Sequence, residues 1–128
     1  MDERELSQVS NAIIGAAMRV HSALGPGLLE SAYEACLALE LTERGMQVER
    51  QKPLPVTYRG MQVECGFRLD MLVEDAVVVE LKAVEALTSV HHAQLLSYLK
   101  LSGYKLGLLI NFHVTSLRQG IKRVVNNL

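Results

Sequence analysis

The sequence predicts an α/β protein in which helices cover a mixed sheet. Three observations carry that prediction: two helical periodicities before residue 46, a change to alternation of period two after it, and a later return to a helix followed by two more strands. The resulting order, α-α-β-β-β-α-β-β, suits an α/β sandwich. A chain of 128 residues, 49% hydrophobic and 21% charged, fills one core well and two poorly, so residues 1–128 are expected to form a single domain.

Leu6, Val9, Ile13, Ala17, Val20 and Leu24 recur three or four residues apart, which predicts an amphipathic helix over about residues 3–22. Asp2, Glu3 and Glu5 stand at the helix end that favours acids. Gly25-Pro26-Gly27 stops it, because proline lacks an amide donor and glycine takes dihedrals that other residues avoid. A second helix follows over about residues 28–44 and ends before Gly45. At about 100° per residue, Tyr33, Leu37 and Leu41 share a face with Glu30, and Glu40 lies at its edge. A glutamate in an apolar arc either bends out to water or reaches a buried cation or ligand.

From Met46 the period becomes two. Residues 53–58 and 62–73 read as strands joined at Arg59-Gly60, with Gly66 marking a bulge or a close backbone approach. Residues 77–81 complete a three-strand meander. Thr88 or Ser89 caps a third helix that reaches about Leu101. Its His91, Gln94 and Tyr98 fall within an arc of about 60°, which by itself reads as a polar flank with a half-buried tyrosine. Ser102-Gly103 ends that helix, residues 106–111 form a buried strand, and residues 120–125 form a last one with Lys122 and Arg123 on opposite faces. His113, in the loop between them, has no partner identifiable from sequence.

No apolar run reaches the ~18 residues that cross a bilayer. The start, Met1-Asp-Glu-Arg-Glu5, is acidic and leads into no secretory segment, so a cytoplasmic protein without a membrane partner is expected. Cys36 and Cys65 form no CxxC pair and read as packed thiols. A net charge of -1 argues against strong electrostatic binding of nucleic acid. The first 49 residues nevertheless hold eight acids and three bases, and the rest hold six and ten. A basic face on the later part and basic side chains scattered round the fold are both open. The mean hydropathy of +0.17 allows an apolar patch in a homodimer interface.

The segment from Arg68 to Ala83 places charges where a buried strand should not hold them. Val77, Val78, Val79 and Leu81 are apolar and mostly β-branched, yet Glu80 and Lys82 interrupt the run and project from one face. Asp70 lies on the preceding strand, and Glu74-Asp75-Ala76 makes a plausible tight turn. A turn centred on Asp75 sets Asp70 opposite Glu80, whereas a two-residue turn puts them on opposite faces. Facing carboxylates repel, and a divalent cation removes the conflict. The alternative from spacing alone is a Glu80/Lys82 salt bridge at a strand end, with Asp70 in solvent.

Gly27-Leu-Leu-Glu30-Ser-Ala-Tyr33 resembles the motif that names the GxxExxY proteins, as do His21, Leu24-Gly-Pro-Gly27 and Val90-His91 followed by Gln94-Leu-Leu-Ser-Tyr98. Those proteins are similar to the PD-(D/E)xK nuclease superfamily, which implies a restriction-endonuclease-like αβββαβ core, here with an extra N-terminal helix. The resemblance implies a metal-dependent nuclease acting on DNA or RNA, or a non-catalytic nucleic-acid- or protein-binding module that keeps the fold. Asp70 resembles the motif aspartate and Glu80 the (D/E), both ligands of Mg²⁺ or Mn²⁺, and Glu30 resembles a helix-borne acid that completes the metal shell. Lys82 looks like the lysine that orients or deprotonates the attacking water. Gln94 and Tyr98 look like a QxxxY pair beside the active site. Gly27, Tyr33, His21 and His91 match the family motifs, the two histidines without an implied role. Leu69 stands where the superfamily motif has proline.

Overall fold

The structure, a computed structural model, describes residues Met1–Leu128. In chain order its elements are α1 (Glu3–Leu24), α2 (Glu30–Glu43), β1 (Val48–Pro53), β2 (Val56–Tyr58), β3 (Met61–Val63), β4 (Arg68–Val73), β5 (Val77–Lys82), α3 (Ser89–Ser102), β6 (Leu106–Asn111), a 3-10 turn (Leu117–Gly120) and β7 (Ile121–Val125). Five strands form one sheet in the order β1-β4-β5-β6-β7, and β2 and β3 form a separate hairpin. Only the β5–β6 pair is parallel. A parallel pair needs a crossover, and α3 supplies it.

Period-two alternation divides the central strands between two apolar layers. Val77, Val79, Leu81, Leu106, Leu108 and Ile110 pack with α1 and α2 in the larger core, and Val78 and Leu109 pack with Leu95 and Leu99 of α3 in the smaller one. Gly107 lets α3 approach closely, since a Cβ there would come within 3.0 Å of Leu95. Glu80 and Lys82 share the parity of Val78 and belong to the α3 face. Asp70, just beyond the last ladder pair and next to Leu69 of the same smaller core, joins them through its hydrogen bonds with the Glu80 strand and not by regular alternation.

The turn between α1 and α2 is closed by one side chain. Gly25 and Gly27 both have positive φ, 71° and 98°, and the Tyr33 hydroxyl donates to the Gly25 carbonyl at 2.6 Å while accepting from the Leu28 amide at 3.1 Å. The Tyr33 ring stacks on Phe112, with centroids 4.5 Å apart. Buried His21 joins the same corner through Nε2, 2.8 Å from the Val114 carbonyl.

The helices and the last two strands lie close to where sequence places them, but the meander differs. The strand expected at residues 53–58 is replaced by β1 and the separate β2. β1 is an edge strand of sequence Val-Glu-Arg-Gln-Lys-Pro with no fully buried position, so it carries no apolar alternation to detect. The strand expected at 62–73 is split into β3 and β4, because the chain leaves the ladder between them through Gly66 at φ 73°. α2 begins at Glu30, two residues later than expected, so Glu30 is its first residue and not an interior one. Cys65 is exposed, not packed.

Tyr33→Phe removes both hydroxyl hydrogen bonds and keeps the stacked ring. It is expected to lower stability by roughly 1–2 kcal/mol in urea unfolding. An unchanged midpoint would show that the turn holds without the hydroxyl.

Candidate functional site

The β4–β5 connection determines which side chains meet. The ladder pairs Met71 with Val79, Leu72 with Val78 and Val73 with Val77, so the turn is the three-residue Glu74-Asp75-Ala76 centred on Asp75. Its first two residues have φ of 56° and 49°, costing about 1 kcal/mol or more each for non-glycine residues. Several contacts hold them there. The Glu74 amide donates to the Gln47 carbonyl at 2.9 Å, the Gln47 amide donates to Glu74 Oε2 at 2.8 Å, and the Tyr104 hydroxyl donates to Asp75 Oδ1 at 2.6 Å. Partial burial and that carboxylate push the Tyr104 hydroxyl up to about 12.

The register, carried toward the start of β4, brings Asp70 to Glu80, and there the ladder changes character. The Asp70 amide donates to Glu80 Oε1 at 3.2 Å, and the Leu81 amide donates to Asp70 Oδ2 at 2.9 Å. Carboxylates therefore take the place of main-chain carbonyls. The other neighbour of β4 is irregular at the same level: the β1–β4 ladder skips Gln51, which has φ 52°. Glu34 of α2 holds this distortion. Its Oε2 accepts from Arg50 Nε at 3.1 Å and Nη2 at 2.9 Å, and its Oε1 accepts from Gln51 Nε2 at 2.6 Å.

Glu80 is only 3% exposed. Burial, then its hydrogen bond with Asp70 and the charge of Asp70, push its carboxyl up to about 9, although Lys82 acts in the opposite sense. Glu80 is therefore protonated at neutral pH in the absence of another cation. Tyr98 of α3 belongs to the same electrostatic neighbourhood: burial, then Glu80 and Asp70, raise its hydroxyl above the ordinary tyrosine value. Its ring lies 5.9 Å from that of Phe67, at the entry to β4.

Asp70, Glu80, Lys82 and Tyr98 are thus brought together. Glu30 and Gln94 are exposed and make no hydrogen bond or ion pair with them. No three Asp, Glu, His or Cys side chains are gathered closely enough to hold a metal ion, so Glu30 is not assembled with the acid pair here. Glu30 does stand at the corresponding end of the sheet. One turn beyond it Tyr33 stacks on Phe112, whose amide donates to the Lys82 carbonyl at 2.9 Å. Gly27 serves the α1–α2 turn. The His91 Nδ1 accepts from the Thr88 amide at 3.0 Å and caps α3. His113 faces Glu85 at 3.5 Å on the surface.

Two residues of this neighbourhood escape the sequence reading. Glu34 lies about 40° from Glu30 on the α2 wheel, between the helix's buried leucines and its flank, so the argument applied to Glu30 fits it better. Asn111 is 1% exposed and pairs in register with Lys82. Its side chain accepts from the Val84 and His113 amides and donates to the Val84 carbonyl, fixing the path of the chain after Lys82. An asparagine ending an apolar strand gives no sequence signal of that kind.

The pair of carboxyls fits a hard divalent cation. Both groups are oxygen donors, each has one oxygen already oriented by a main-chain amide, and their like charges conflict at close range. A family model described as the PD-(D/E)XK nuclease superfamily matches residues 7–124. No curated protein and no solved structure matches the chain. The chain belongs to the PD-(D/E)XK nuclease superfamily, and its mixed sheet between helices, preceded by α1, is a restriction-endonuclease-like fold.

A folded-state value raised from the ordinary 4.5 to about 9 means that the native chain binds the Glu80 proton more tightly than the unfolded chain. That contribution is complete below about pH 4.5 and is lost as pH rises through about 9. In metal-free buffer the protein is expected to lose on the order of a few kcal/mol across this window. Glu80→Gln, neutral and isosteric, is expected to flatten the loss in melting temperature against pH. Parallel curves for the two proteins would refute the assignment to Glu80.

Proposed function

We propose that this member of the superfamily is a metal-dependent nuclease that hydrolyses phosphodiester bonds of DNA or RNA. Residues 1–128 act as a single nuclease-like domain of the GxxExxY type in the cytoplasm. The observation that carries the reading is the placement of Asp70, Glu80 and Lys82 on one face by the three-residue turn.

Asp70 and Glu80 would hold Mg²⁺ or Mn²⁺, with Glu30 approaching from the end of α2. When bound, the ion supplies Lewis acidity toward the phosphodiester and makes a nearby water easier to deprotonate. The chain's own residues do the rest. With a cation held there, Glu80 would be kept as the anion and its carboxyl would no longer donate to Asp70. Lys82, on the same face, orients the attacking water and offsets negative charge that develops on the phosphoryl oxygens. The Tyr98 hydroxyl, kept protonated, is a donor toward a phosphate oxygen. Gln94, one turn earlier on α3 and open to solvent, extends that donor row along the nucleic-acid backbone. The backbone strain at Gln51 and the Glu34 clamp keep Asp70 out of ordinary strand pairing.

A second reading, a binding module that keeps the fold without turnover, is favoured by one observation: no third acidic side chain is gathered with the pair. The two readings separate in solution. With Mg²⁺ or Mn²⁺ the purified protein is expected to cut DNA or RNA and to stop on addition of EDTA. Asp70→Asn and Glu80→Gln are each expected to lower kcat by about 100-fold or more, and Lys82→Ala by roughly 10- to 100-fold. Intact substrates across varied DNA and RNA, with metal binding unaltered by Asp70→Asn, would sink the nuclease reading.

A further inference from the structure

The β2–β3 hairpin contributes no residue to either core. Its root is anchored: Leu54 is buried in the smaller core, and its amide donates to the Phe67 carbonyl at 2.8 Å. Beyond that point the arm stands free. Pairing of Val56 with Val63 and Tyr58 with Met61 puts these four side chains on one face, with Thr57 and Gln62 on the other. Tyr58 is 62% and Met61 71% exposed. An isolated two-stranded hairpin is marginal in water, and an apolar face on it implies an occupant.

Charge and position identify that occupant. Between Gln51 and Arg68 the bases are Lys52, Arg59 and Arg68 and the only acid is Glu64, in a chain of net charge -1. Lys52 is paired with Glu49, whereas Arg59 and Arg68 have no acidic partner. Arg59 and Gly60, with φ of 52° and 73°, form the two-residue turn of the hairpin. Such turns favour Asn or Gly at the first position, so local structure gives no preference for arginine there. The Arg59 guanidinium instead lies over the Tyr58 ring, 5.4 Å from its centroid, presenting a cation and a π-face together at the tip. The arm also leads into the acid pair. Phe67 adjoins Tyr98, and Arg68 opens the strand that carries Asp70. A second copy docked arm to arm on this face would bring the same excess of positive charge onto it. A polyanion is complementary.

We propose that the Val56–Val63 hairpin is a gripping arm for single-stranded polynucleotide, feeding it toward Asp70 and Glu80. This rests on the nuclease reading for its direction, though not for its binding. Unpaired bases stack on Tyr58 and the neighbouring apolar face while Arg59 and Arg68 take phosphates. Duplex offers phosphates but hides the faces of its bases.

The test is fluorescence anisotropy of the full chain in EDTA, with fluorescein-labelled oligodeoxyuridylate, oligouridylate and a duplex of equal length. Single strands are expected to bind more tightly than duplex, and the two single strands show whether the sugar matters. Arg59→Asn suits the turn and keeps the fold, and Tyr58→Thr keeps strand propensity. Each is expected to weaken single-strand binding by about five-fold or more, while Leu39→Ser, an exposed apolar change on α2, leaves it unchanged. Equal affinities for wild type, Arg59→Asn and Tyr58→Thr would overturn the arm even if Mg²⁺-dependent cleavage is present. So would no binding by wild type, or a dimer in light scattering that Met61→Asp dissociates. Arm-dependent binding without any cleavage would sustain the arm and count against the nuclease reading.

Discussion

Two carboxyl groups held across one strand pair at low dielectric can share a proton or share a cation, but they cannot both stay bare and ionised at little cost. Asp70 and Glu80 are in that position. Glu80 is almost wholly buried, and its carboxyl is raised to about 9 by burial and by Asp70. Lys82 relieves the conflict only in part. An arrangement of this kind weakens the fold at neutral pH, and under the proposed function a divalent ion would remove the conflict.

Much of the surrounding structure serves to hold that pair. A shift of one residue in the β4–β5 register would send Asp70 to the opposite face from Glu80. The turn that sets the register contains two consecutive non-glycine residues with positive φ, kept there by Gln47 and Tyr104. On the other side of β4, Glu34 draws Arg50 and Gln51 toward α2 and leaves Gln51 out of the ladder opposite Asp70. Asp70 thus lies between a strained turn at one end of β4 and a strained residue on the neighbouring strand, and its carboxylate takes the Leu81 amide that a main-chain carbonyl would otherwise hold. The Tyr33 hydroxyl and His21, at the far corner, fix the helix start from which Glu30 projects.

The layers and the acid pair were legible in the sequence because each leaves a periodic trace. Apolar residues at three- and four-residue spacing mark α1 and α2, and the odd-length turn in Glu74-Asp75-Ala76 predicts the observed register. The GxxExxY resemblance divides in the structure: Gly27 and Tyr33 build the α1–α2 turn, and Glu30 alone is left free for chemistry. What was not legible depends on tertiary context. β1 is a polar edge strand, so alternation could not reveal it, and Gln51 shows its role only through its backbone angle. His91, which sequence places on a polar flank without a role, proves to be a helix cap, and that use depends on a local contact that spacing does not show.

Under the proposed function the Asp70–Glu80 pair would exchange a proton for a divalent cation. Carbon-13 NMR of the glutamate side-chain carboxyls, titrated with pH in EDTA and again in Mg²⁺, observes that exchange directly. One carboxyl signal, removed by Glu80→Gln, is expected to ionise near pH 9 without metal and to be already ionised at neutral pH with it. A Glu80 signal that titrates in the ordinary range near 4.5, or one that Mg²⁺ leaves unmoved, would contradict it.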